Sequence, residues 1–190
     1  MDFLAVDRKL FFFVNQSGFN NPWSDGIMLA LSSHTLWISI LFVAGAYSWR
    51  KGDRMLWWLL GTVLLSVAFT DSFSTFILKP WVARLRPCHE LAGVVLPSGQ
   101  CGGLLSFPSN HAVNAGAVTG VLAFYWRYLG WEMVFSAAGL AALVALSRVW
   151  LGVHYPGDVI AGLLFGVISG VAIGKTVSLL RTFRNSAGPS

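Results

Sequence analysis

Five stretches of this chain, residues 26–49, 55–78, 111–129, 133–151 and 158–180, run for roughly 20 residues each with hardly a charge. A helix of that length and character crosses the hydrocarbon of a bilayer. A soluble domain would carry about a quarter of its residues as charged groups. Here 11% are charged and 55% hydrophobic, which excludes a hydrated surface and equally an unfolded chain. The sequence therefore predicts an all-α fold, a polytopic transmembrane helix bundle of about five spans that takes residues 1–190 as a single membrane-embedded domain. Residues 1–20 read as an interfacial amphipathic helix, because Asp7, Arg8 and Lys9 lie beside the bulky run from Leu10 to Val14. Asn20, Asn21 and Pro22 break the helix before the first span. Asp2, Asp7, Arg8 and Lys9 stand where a cleavable signal peptide would have an unbroken apolar stretch.

The net charge of +5 does not gather into a nucleic-acid patch. Arg50, Lys51, Arg54, Arg127, Lys175, Arg181 and Arg184 all fall on one side of a five-span bundle, which the positive-inside rule makes cytoplasmic. The outer side then holds the N-terminus, a loop over residues 79–110 and a short turn at 152–157. Arg8, Lys9, Lys79, Arg84 and Arg86 run against this assignment unless they serve chemistry. Tyr47, Trp49, Trp57, Trp58, Trp126 and Trp131 predict an inner aromatic belt, and Trp23, Trp81, Trp150 and Tyr155 an outer one. Gly162, Gly166, Gly170 and Gly174 recur every four residues, as do Gly116 with Gly120 and Ala137, Ala141 and Ala145. Such bare stripes let helices approach closely. The chain closes on a short polar tail, residues 185–190.

Three segments carry the polar chemistry: Lys79 to Pro87, Ser106 to His111, and Ser147 to Asp158. All three lie at the outer face of the predicted bundle. Ionisable groups beside hydrocarbon are costly, so each is a functional candidate by default. Lys79, Arg86 and Arg148, with few nearby anions, call for an anionic ligand, and guanidinium groups match phosphate oxygens bidentately. Pro108 and Ser109 precede an apolar run and predict a helix start, whose free amides add a further anion site. His154 lies four residues before Asp158, near enough for the carboxylate to take its Nδ1–H and leave Nε2 to attack phosphorus. His111 is placed to protonate a leaving oxygen and later activate water. Ser109 and the Asn110 and His111 amides join the cations in holding the phosphoryl charge.

The pattern K-x6-RP, PS-x-H and SR-x5-H-x3-D resembles the three-part signature of the type-2 phosphatidic acid phosphatase superfamily. Lys79 to Pro87, Pro108 to His111 and Ser147 to Asp158 match it in order and spacing. One departure is Asn110, where the family usually has glycine. The resemblance implies metal-independent hydrolysis through a phosphohistidine, with no cofactor and no metal. By the match His154 is the nucleophile, Asp158 its orienting partner and His111 the acid and base; Lys79, Arg86, Ser109 and Arg148 hold phosphate. It further implies a membrane lipid substrate: undecaprenyl diphosphate first, then lipid A 1-phosphate or phosphatidylglycerol phosphate. The expected location is a bacterial inner membrane with the site facing the periplasm and the lipid entering sideways between helices. The rival readings are a non-catalytic lipid-phosphate binding protein and a transporter. The first would lack His154, His111 or Asp158; the second would spread polar residues along several spans.

Cys88 and Cys101 fall in the outer loop, where an oxidising compartment favours a disulfide over two free thiols. A metal site joining them to His89 has no evident fourth ligand. Arg84 and His89 are read either as headgroup contacts or as solvated loop residues. His34 is read as an interhelical donor, Asp71 as a structural partner and Glu132 as a solvated charge.

Overall fold

In the computed structural model the chain is described from residue 3 to residue 186, with side chains as far as Phe183. Asp2, the Arg184 side chain and the side chains of the polar tail lie outside the described residues. The first helix, α1, spans Phe3–Asn15. Asn21 caps α2, Pro22–Leu31, by accepting from the Trp23 and Ser24 amides, while the Ser24 hydroxyl returns to the Asn21 amide. Next, α3 covers His34–Lys51 and ends on Gly52 with φ +64°, a left-handed stop that glycine takes without strain. Asp53 caps α4, Arg54–Phe73, through the Met55 amide. This helix passes without a break through a π-helical turn, Ser74–Leu78, into α5, Lys79–Val82. The remaining helices are α6 (Pro87–Glu90), α7 (Asn110–Phe124), α8 (Trp126–Leu129), α9 (Trp131–Trp150) and α10 (Pro156–Ser186). No strand forms among the described residues beyond an isolated bridge between Leu85 and Leu105.

Three of these helices are long and apolar enough to cross a membrane: Arg54–Val82, Trp131–Trp150 and Pro156–Phe183. The pair α2 and α3 makes a fourth if it is one span bent by 52° at Ser32 and Ser33. The sequence count of about five therefore stands at three to four by length and composition. The predicted third span is divided: α7 has 15 residues, and Tyr125 separates it from the single turn of α8. The expected outer loop also starts later than residue 79, because Lys79 to Val82 continue the helix.

The bundle is built around α7. The glycine stripe of α10 lies against it so closely that a Cβ on Gly166 would sit 2.1 Å from the Val113 carbonyl oxygen, and one on Gly170 2.3 Å from that of Ala117. The contact is reciprocal, since a Cβ on Gly116 would meet the Leu163 oxygen at 2.5 Å and one on Gly120 the Val167 oxygen at 2.3 Å. Ala141 and Ala145 of α9 are buried as well. In lipid, where helices gain little from apolar burial, this backbone-to-backbone approach supplies the packing.

Two expectations change here. The Asp7 side of α1 does not face water: Asp7, Phe11 and Asn15 are buried. Asn15 donates to the Val95 and Trp150 carbonyls at 2.8 Å each and accepts from the Val95 amide at 2.9 Å, so α1 is docked onto the bundle through its polar groups. Trp150 and Tyr155 also leave the outer belt for the interior, with relative exposures of 8% and 0%. The Trp150 indole donates to Asp25 at 2.7 Å and the Tyr155 hydroxyl to Glu90 at 2.8 Å, which satisfies their polar ends in the core. Trp23 and Trp81 stay exposed.

Candidate active site

The three polar segments converge at one end of the bundle. Lys79 reaches from α5 to the Pro108 carbonyl, donating at 2.8 Å, and so ties the first segment to the second. The Ser109 amide donates to the Asp158 carbonyl at 3.2 Å and ties the second to the third. Arg86 is held by the loop it precedes, donating to the carbonyls of Cys101 at 2.9 Å and Leu105 at 3.3 Å. A Cys88–Cys101 disulfide with a Cα separation of 5.9 Å closes that loop. The two sulfurs are bonded to each other and stand beside an exposed His89. The π-helical turn lies between Asp71 and Lys79 and resets the helix register so that both face one cavity.

That cavity, of about 530 Å³, lies among α3, α4, α7 and α9. Lys79, Arg86, His111, Arg148 and His154 line its polar end. The wall then continues along the helices at helical spacing, through Val67 and Val63 on α4, Val118 on α7 and Ala141 and Ala137 on α9. From Asp71 to Val63 is eight residues, about 12 Å of helix rise. A charged end opening into an apolar slot of that depth suits an amphiphile with an anionic head.

Within the polar end, several groups have capacity left over. Ser109 Oγ and Arg148 Nε are buried and lack a hydrogen-bond partner among the described residues. The Asn110, His111 and Ala112 amides open α7 and, among the described residues, have no backbone bonds to an earlier turn. Buried donors left in this way cost stability unless a ligand or water meets them.

His154 is 2% exposed and Asp158 0%. The direct contact expected between them is long, with Nδ1 3.8 Å from Oδ2. Ser106, also fully buried, fills the gap: its hydroxyl donates to Asp158 Oδ2 at 2.5 Å and lies 3.2 Å from His154 Nδ1. Since that hydroxyl proton goes to the carboxylate, Ser106 Oγ is left to accept from Nδ1–H. The Tyr155 amide also donates to Asp158 Oδ2, at 2.9 Å. Burial pushes the His154 pKa down to about 3, with Arg86 and Arg148 adding to the effect and Asp158 opposing it, so the imidazole is neutral at ordinary pH.

Arg84 is not a solvated loop residue. It bridges two carboxylates, donating to Asp158 Oδ1 at 2.8 Å and Asp7 Oδ2 at 2.7 Å, with its guanidinium 3.9 Å from the centre of the Tyr155 ring. Asp7 in turn accepts from the Gly157 amide at 2.8 Å. His111 Nε2 lies 3.1 Å from the Ser32 carbonyl oxygen at the bend between α2 and α3, which makes Nε2 the donor. Its ring centre is 5.2 Å from that of His34.

Sequence reasoning missed Ser106, Asp7 and the pairing role of Arg84. Ser106 opens the second segment but lies outside the matched pattern, and nothing else in the sequence around it gave a signal. Arg84 was visible as a charge that ran against the expected orientation, and Asp7 as part of the polar patch of an interfacial helix.

Residues 55–181 match the PAP2 superfamily. The chain is 31% identical to a lipid A 4'-phosphatase of Porphyromonas gingivalis, over 94% of this chain and 76% of that protein. It is 35% identical to phosphatidylglycerophosphatase B of Bacillus subtilis, over 77% of this chain and 72% of that one. A shorter likeness, 37% identity over 41% of this chain and 38% of the relative, links it to undecaprenyl-diphosphatase BcrC of the same bacterium. In fold it is similar to the crystal structure of Aquifex aeolicus LpxE, with a TM-score of 0.69 and 23% identity over 90% of this chain and 95% of that one.

Proposed function

The chain belongs to the PAP2 superfamily, a membrane lipid-phosphatase family, and on that premise we propose that it hydrolyses a lipid phosphate through a phosphohistidine at His154. The observation that carries the reading is the convergence of Lys79, Arg86, Arg148 and His154 at the head of an apolar cavity. The lipid phosphate enters sideways between helices, its chain in the slot and its phosphate among the cations, Ser109 Oγ and the first amides of α7. His154 Nε2 attacks phosphorus, forming the P–N bond as the P–O bond to the lipid alcohol breaks. Nδ1–H is held by Ser106, whose proton is held by Asp158, so the imidazolium that forms has an acceptor in place. His111, doubly protonated once the anionic phosphate lies beside it, gives its Nε2 proton to the departing oxygen in place of its Ser32 contact and is left neutral. Water, relieved of a proton by His111, then attacks phosphorus; the P–N bond breaks, phosphate leaves and neutral His154 returns. Such acid–base assistance is worth about 10²–10⁴-fold.

We further propose that the site faces the periplasm of a bacterial inner membrane, since most Lys and Arg away from it fall at the opposite end. The relatives above 30% identity over most of the chain are named for lipid A and phosphatidylglycerophosphate. Those substrates therefore come first in our reading, and undecaprenyl diphosphate, favoured by the sequence alone, becomes the second reading, on one shorter likeness and one of 26% identity over 86% of the chain. Phosphate release by purified protein from a panel of these three lipids, with EDTA present, tests the proposal. Release that is lost in His154→Ala is expected. A strict metal requirement, or undiminished release by His154→Ala, would sink the mechanism, and binding without release would restore the non-catalytic or transport reading.

A further inference from the structure

Asn110 departs from the expected glycine, and its side chain is engaged. Nδ2 donates to Asp71 Oδ1 at 2.9 Å and to Thr75 Oγ1 at 2.8 Å. Asn114, one turn later on the same face of α7, donates to the same Asp71 oxygen at 3.0 Å. Both amides therefore converge on Oδ1. Among the described residues Asp71 Oδ2 has no hydrogen bond, and Asp71 makes no ion pair. Asp71, Asn110 and Asn114 line the same cavity as Lys79, Arg86, Arg148 and His154. Asn110 is also the immediate chain neighbour of both Ser109 and His111. The carboxylate is thus one side chain removed from the place where the phosphate is held.

A brace between α4 and α7 would need only a neutral acceptor for two amide donors. A carboxylate does two further things on a cavity wall poor in water. Its second oxygen accepts a hydrogen bond from a neutral donor, and its charge opposes a second anion at that point. We infer that Asp71, oriented by Asn110 and Asn114, is a headgroup subsite. It selects phosphomonoester lipids whose alcohol carries a hydroxyl or amide N–H beside the scissile bond, and it disfavours diphosphates. The inference rests on the phosphatase reading above and narrows its substrate class. Because the selection is a ratio between substrates, it does not depend on how much of a preparation is folded.

The test uses purified protein and two pairs of probes. The first pair is a 1-O-alkyl-glycerol 3-phosphate with a free 2-hydroxyl and its 2-methoxy analogue. The second is farnesyl phosphate and farnesyl diphosphate. The wild type is expected to favour the hydroxyl lipid by at least about tenfold in kcat/KM, and the monophosphate over the diphosphate. In Asp71→Asn, whose amide presents a donor in place of the free oxygen, the first preference should fall to within about twofold and relative turnover of the diphosphate should rise. Asp71→Ser serves as a second variant, and the wild-type ratios need no variant at all. Phosphate release with wild-type ratios near one, or with ratios unchanged in both variants, would overturn the subsite and leave the phosphatase standing. No release from any of the four probes would overturn the phosphatase reading, and the subsite with it.

Discussion

The two ends of the bundle hold charges of the same kinds in opposite circumstances. At the end with the three motifs, Asp7, Arg84, Asp158, Ser106 and His154 form one continuous chain of contacts, and both carboxylates are almost wholly buried. At the other end Asp53 caps α4 and takes a hydrogen bond from Tyr128, while Arg181 lies against Met55 Sδ at 2.9 Å and over the Trp58 ring. There the groups are at least partly exposed, as expected of residues that anchor a helix at a membrane surface. A buried ion costs several kcal/mol unless it is paired. At the motif end Asp7, Arg84 and Asp158 are therefore held because each is answered by another, while Lys79, Arg86 and Arg148 have no carboxylate partner among the described residues; the opposite end holds its charges at little cost.

This contrast makes graded predictions. The largest effect is expected for Arg84→Ala, which leaves Asp158 and Asp7 buried without their shared cation. Losing one member of such a network should lower stability by about 3–5 kcal/mol, read as detergent-solubilised thermal or denaturant unfolding. A loss under 1 kcal/mol would mean that water already screens the pair. Ser106→Ala removes the group between His154 and Asp158, and kcat should fall by about 10–100-fold with KM held within twofold. Unchanged kcat would show that Asp158 closes the 3.8 Å gap unaided. The third prediction concerns protons. A His154 pKa of about 3 means that its ring takes up a proton only as pH falls through that value. Histidine-selective ¹⁵N NMR should find this ring neutral from pH 7 down to about pH 4, and titration near 6.5 would contradict the burial argument. The smallest effects are expected at the far end, where Asp53→Asn and Arg181→Gln should change kcat less than twofold and leave the unfolding midpoint almost unmoved.

The same contrast explains what the sequence could disclose. Lys79, Arg86, His111, Arg148, His154 and Asp158 stood out because an apolar chain has few such residues, and their spacing matched a known pattern. Ser106 did not, since a serine in a loop follows no period and gains its meaning only from what folds against it. Asp7 was read outward, as the polar stripe of an interfacial helix, because nothing in the local sequence tells that Arg84 and the Gly157 amide wait on the other side. The bend at Ser32 and Ser33 has neither proline nor glycine to announce it. Trp150 and Tyr155 looked like belt residues by type, and only Asp25 and Glu90, distant in sequence, draw them inward. The glycine stripes were legible as a packing face, though not that α7 is the helix they meet.

The central claim is that phosphate passes through a covalent bond to His154. Its most direct measurement is rapid mixing of the purified protein with ³²P-labelled lipid phosphate in EDTA, an alkaline quench, and peptide mapping of any label retained. The account predicts an alkali-stable, acid-labile label on the peptide containing His154, formed within one turnover and absent from His154→Ala. Phosphate released at the wild-type rate with no such label, or a label on any other residue, would contradict it.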